Sequence, residues 1–156
     1  MKHIKRIQSI ATMLILIALV ACSKENTSTN ATATDVRDKA VGTYVGNANL
    51  KDSTGTTIQD TSTTFVIAKG TGNTITITEE GNTITTDAIA VNGNDLAGNI
   101  PSQTFMIGGS SITIKGYGNN NEQFGYQDAQ KVISYSIEVA DGPMKGSRYT
   151  VFATKK

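Results

Sequence analysis

The only histidine and the only cysteine of this 156-residue chain are His3 and Cys22, both close to its start. Ser–His and Cys–His catalysis, thiol redox chemistry and His/Cys zinc sites all require imidazoles or thiols. The remaining body therefore has only carboxylates for acid–base work. Glu79 and Glu80 are adjacent at a hairpin signal. Neighbouring strand residues point to opposite faces, which makes this pair a poor acid–base couple and reads it as solubilising turn charge. Asp60, Asp87 and Glu138 fall inside extended runs, where each faces either solvent or a lumen. Asn92-Gly93-Asn94-Asp95 and Asn119-Asn120-Asn121-Glu122 carry oxygen atoms of the kind calcium takes, without the spaced acids and closing Glu of a calcium loop. Turn chemistry accounts for them. No catalytic residue, metal or cofactor is expected, and the chain is read as no enzyme.

Aromatic rings remain as candidate ligand contacts. Tyr117, Phe124 and Tyr126 gather around the loop-like segment 116–128, and Phe105 lies near the Gly108-Gly109 turn. Rings at a barrel mouth would stack a sugar or clamp an apolar molecule. The same rings in the interior would simply plug the barrel end.

The elements that must position these residues are strands. Val41 to Leu50 alternates Tyr44, Gly46, Ala48 and Leu50 against Thr43, Val45, Asn47 and Asn49. Thr57–Ala68 reads as a second, longer strand, and period two recurs in Thr74–Thr78, Ser111–Lys115, Lys131–Val139 and Ser147–Thr154, with shorter segments at Leu96–Ile100 and Thr104–Ile107. Glu80-Gly81-Asn82 is a hairpin signal feeding Thr83–Val91, and the apolar parity shifts there at Asp87, which predicts a bulge. Helical periodicity is confined to Asp35–Val41, where Asp35 suits a cap. The fold class predicted is all-β: a small antiparallel up-and-down barrel of about eight strands, favoured over a sandwich because closure removes edges that a Thr/Ile-rich sheet would aggregate through.

The start of the chain differs in texture. Lys2, Lys5 and Arg6 precede the apolar run Ile10–Val20. Eleven helical residues cover about 16 Å, roughly half of a bilayer's hydrocarbon core, so the run reads as a secretory signal rather than a spanning anchor. It ends in Leu19-Val20-Ala21-Cys22, which resembles the lipobox of bacterial lipoproteins. That resemblance implies cleavage before Cys22, a diacylglycerol on its sulfur and an acyl chain such as palmitate on the new amine. Several acyl chains together give stable membrane anchoring. Ser23-Lys24-Glu25-Asn26 is similar to the start of lipoproteins of the Bacteroidetes group. The expected organisation is a signal peptide at 1–21, a lipidated Cys22 with a disordered tether through residue 34, and a barrel domain at 35–156. Removing the three cations of residues 1–21 from 14 Lys+Arg leaves 11 against 13 Asp+Glu. With no basic excess, nucleic acid is not an expected partner.

At the barrel's entry, Asp35-Val36-Arg37-Asp38-Lys39-Ala40 leads into Gly42-Thr43-Tyr44, which resembles the Gly-x-Trp start of lipocalins in the calycin superfamily. Arg148 stands on the last strand, where lipocalins place an arginine over that ring. Tyr149 to Lys155 is similar to the ends of calycin-like barrel lipoproteins of Bacteroidetes. The resemblance implies a barrel closed by Arg148 stacked on Tyr44, an interaction of about 0.5–2 kcal/mol. It also implies an outer-membrane lipid anchor, on either the periplasmic or the exposed face. Two functions are then expected as alternatives. One is a carrier of a small apolar or glycan ligand, in which Gly46, Ala48, Ile75, Ile77, Ile112 and Ile114 border a void. The other is an adhesin-like or accessory subunit that binds an envelope protein, with a filled barrel and an exposed aromatic patch at Tyr117–Tyr126.

Overall fold

A computed structural model describes residues 34–156. The expected signal peptide, Cys22 and the expected tether up to residue 33 lie outside the described residues. Among the described residues one helical turn, α1 (Arg37–Ala40), precedes eleven strands. These are β1 (Gly42–Lys51), β2 (Thr57–Lys69), β3 (Thr74–Glu79), β4 (Asn82–Asp87), β5 (Ile89–Val91), β6 (Asp95–Gly98), β7 (Gln103–Ile107), β8 (Ser110–Gly116), β9 (Phe124–Gln127), β10 (Val132–Asp141) and β11 (Arg148–Lys155).

Every ladder is antiparallel, and the sheet curls into a nearly closed barrel. The all-β, antiparallel expectation holds, and the sheet is compatible with a calycin-like fold. The strand count is eleven rather than about eight. Two causes account for the difference. At Ala88 the chain leaves β3, its partner along β4, and β5 pairs instead with β6. The parity shift at Asp87 is thus a change of partner: the Asp87 amide donates to Asn99 O and the Ala88 amide to Asn73 O, at 2.9 and 2.8 Å. The second cause is β9, which lies inside the segment read as loop.

Strand order also departs from a simple meander. The path runs β4-β3-β2-β1-β11-β10 and then divides on β10. Val132–Tyr135 of β10 pairs with β9, which leads on to β6 and β5, while Ile137–Asp141 pairs with β8, the partner of β7. First and last strands are neighbours over Tyr44–Lys51 and Arg148–Lys155.

The hairpin turns follow from residue chemistry. Glu80 and Gly81 have φ of 47° and 84°, the paired positive values of the turn whose twist matches its flanking strands. The core fills the end of the barrel nearest α1. Tyr44, Phe65, Ile67, Ile75, Phe124, Tyr126 and Ile133 are at most 1% exposed there. Three donors finish α1: Tyr44 Oη donates to Ala40 O at 2.7 Å, Tyr126 Oη to Lys39 O at 3.0 Å and Lys155 Nζ to Lys39 O at 2.9 Å. They satisfy carbonyls that a helix end leaves without partners.

Candidate functional site

The far end of the barrel is hollow. A cup of about 460 Å³ opens to solvent there, within the size range of small-molecule sites. Its apolar surface comes from Ile77, Ile84, Ile107, Ile114 and Ile137, with the rings of Phe105, Tyr135 and Tyr149. Polar side chains line the rest: Gln59, Thr61, Ser62 and Thr63 from β2, and Glu79, Glu80 and Asn82 from the β3–β4 hairpin.

Alternation and strand length explain this placement. Ile75, Ile77 and Glu79 share one face of β3, so the face that packs the core carries its last residue into the cup. Strand β2 runs past β3: only Val66–Lys69 pairs with β3, while Thr57–Ile67 pairs with β1. The overhanging part forms a hydroxyl-rich wall.

Glu79 is the distinctive group. Tyr149 Oη lies 2.6 Å from both carboxylate oxygens, across 70 residues of sequence. Burial pushes the Glu79 carboxyl above its ordinary range; the Tyr149 and Thr63 hydroxyls pull it partly back, and Glu80 adds repulsion. Burial also pushes the Tyr149 phenol up, reinforced by its bond to Glu79. Tyr135, 4% exposed, packs edge-on to Phe65 with centroids 6.1 Å apart and lies 6.4 Å from the Tyr149 ring. One carboxylate is thereby fixed beside an aromatic wall.

The structure separates the residues singled out from the sequence. Phe105 lines the cup. Phe124 and Tyr126 are 0% and 1% exposed and belong to the core at the closed end, so they plug it. The Tyr117–Tyr126 segment accordingly presents no aromatic patch: Tyr117 alone is exposed, with the Arg148 guanidinium 4.1 Å above its ring.

That contact corrects the expected closing pair. Arg148 is opposite Lys51 and Tyr44 is opposite Lys155, which puts Arg148 and Tyr44 at opposite ends of the β1–β11 ladder. Seven residues of strand separate their levels by roughly 23 Å. Tyr44 itself is fully buried, and the cation on its level is Lys155. The aliphatic stem of Lys155 crosses Gly42, where a Cβ would meet its Cε at 2.5 Å, so the glycine of Gly-x-Tyr makes room for the lysine.

Glu79 is a second correction. It is a half-buried cup residue rather than a solubilising turn charge, whereas its neighbour Glu80 is exposed. Period-two alternation was the available signal, because it sets Glu79 on the inward face of Ile75 and Ile77. Among the six positions expected to border a void, Ile77 and Ile114 do so. Ala48 and Ile75 are packed in the core, and Ile112 packs partly against it. Gly46 marks close approach, since a Cβ there would overlap the backbone of Phe152 and Ala153.

Elsewhere the two Asn-rich loops are held by hydrogen bonds, one to a distant turn and one internal to its own. Asp95 Oδ1 accepts from the Asp128 amide at 2.8 Å, and Asn119 Nδ2 donates to Glu122 Oε2 at 3.0 Å. Among the described residues no group of three or more acidic, His or Cys side chains is gathered to hold a metal. No family model and no curated protein matches this chain.

Proposed function

We propose that the protein is an envelope lipoprotein of the calycin-like kind, anchored in the outer membrane through acylated Cys22 and carrying a barrel that binds a small ligand in its open end. The single observation that supports binding is the cup of about 460 Å³, with apolar walls and one fixed carboxylate. A barrel of this size is either just filled by its side chains or holds one small ligand. Here one end is filled and the other is not, which favours the carrier over a filled interaction subunit. The cup holds no histidine or cysteine, and the reading is of binding without chemistry.

The test is uptake of an apolar fluorophore such as N-phenylnaphthylamine. The expected result is saturable fluorescence enhancement in the native protein and its loss in Ile137→Trp, which fills the cup. Absence of uptake by the native protein overturns the carrier reading and returns the choice to the protein-interaction alternative.

A further inference from the structure

We propose that the ligand of the cup is an amphiphile bearing an ammonium group, with Glu79 receiving the cation and the rings of Tyr135, Tyr149 and Phe105 surrounding it. This rests on the reading of the open end as a binding site and names the chemistry that site selects. Four observations point the same way. Glu79 projects into the cup and is held by the Tyr149 hydroxyl at 2.6 Å from both oxygens, so its position is fixed before a ligand arrives. No Lys or Arg lines the cup, and among the described residues none forms an ion pair with Glu79. Glu80 at the rim adds a second negative charge. Three aromatic rings share the cavity with the carboxylate.

A partly buried anion without a cation is costly, and an incoming ammonium removes that cost while donating hydrogen bonds to lone pairs that Tyr149 leaves free. Aromatic faces attract the same cation through their quadrupole, most strongly where water is excluded. The isoleucines below take an apolar body. A carboxylate ligand would meet repulsion from Glu79 and Glu80, and a neutral alcohol would leave the charge uncompensated. Tyr149 acts as a positioning residue for Glu79 as well as a wall.

The experiment compares decylamine, decanol and decanoate by calorimetric titration below their micelle concentrations. It uses the full chain carrying Cys22→Ser, so that no acyl group competes for the cup. Decylamine is expected to bind about tenfold more tightly than decanol, the gain of one charge-assisted contact, with decanoate weakest. Glu79→Gln is expected to bring decylamine down to the affinity of decanol, and a cooperative thermal melt of the variant shows that its fold is kept. Carbon NMR on the unsubstituted cup gives a readout independent of that variant: the Glu79 carboxyl resonance shifts with decylamine and stays still with decanol. Equal or weaker binding of the amine, a preference that survives Glu79→Gln, or an unmoved Glu79 resonance overturns the ammonium assignment while the cup remains a binding site. Binding of none of the three overturns the binding reading itself.

Discussion

Tyr44 joins the first strand to α1 through one hydroxyl, bonded to Ala40 O in a fully buried setting. Tyr44→Phe leaves that carbonyl short of a partner, so we expect a loss of about 1–2 kcal/mol in denaturant unfolding. Arg148→Ala removes only an exposed stack on Tyr117 and a 4.0 Å contact with Glu138, and should cost less than about 1 kcal/mol. The opposite ranking would restore Arg148 as the residue that closes the barrel. Glu79 makes a pH-dependent contribution whose sign is set by burial. Its folded carboxyl titrates above its unfolded value of 4.5, so its stabilising contribution is complete below that pH and is lost as pH rises through the folded value. Glu79→Gln should therefore melt higher than the native protein at neutral pH, with the gap closing below the unfolded value. Thermal melts across that range check it. At this scale the sequence was only partly readable. Alternation would have set Glu79 on the inward face, although it was read as turn charge, and its bond to Tyr149 joins strands far apart in the chain, which no local pattern carries.

Among the elements, the seam between β4 and β7 explains how the sheet nearly closes. No ladder joins these strands. Instead the Gln103 side chain acts as a short length of strand: its Nε2 donates to Thr85 O and its Oε1 accepts from the Thr85 amide, both at 2.8 Å. Gln103→Ala leaves two backbone groups unpaired and should destabilise by about 1–3 kcal/mol. Hydrogen exchange at the Thr85 amide should accelerate beyond the global change if the seam opens locally. The strands flanking this seam were the hardest to read. Strand β9 is four residues that follow an Asn- and Gly-rich segment, and its burial depends on β6 and β10 on either side. The partner change at Ala88 preserves extended conformation, so one run of residues hid two strands. By contrast β1, β3, β8, β10 and β11 each bury one face of a regular alternation, and period two identified them directly.

For the whole molecule, the fold class followed from texture because most strands have one wetter and one drier side, as antiparallel sheets permit. Whether the barrel is hollow did not follow from small inward residues: Gly46 presses on β11, while the cup is bordered by isoleucines, aromatic rings and polar side chains. The proposed lipid anchor is tested on the intact chain. The unsubstituted protein should sediment with membranes and Cys22→Ser should not, measured by fractionation of cells expressing each; membrane retention of Cys22→Ser would refute the lipid anchor. The part of β2 that extends beyond β3 also bears on how the molecule behaves among its own copies. From Thr57 to Thr64 its backbone has a ladder on one side only, so it offers amides and carbonyls to any extended peptide that arrives. What discourages such recruitment is the clothing of that margin: Gln59, Asp60, Thr61, Ser62 and Thr63 in succession, with Asp60 as the charge. Solubility at high concentration thus depends on a stretch of hydroxyls and amides, and converting it to valines and isoleucines would turn a discrete particle into a seed for fibres.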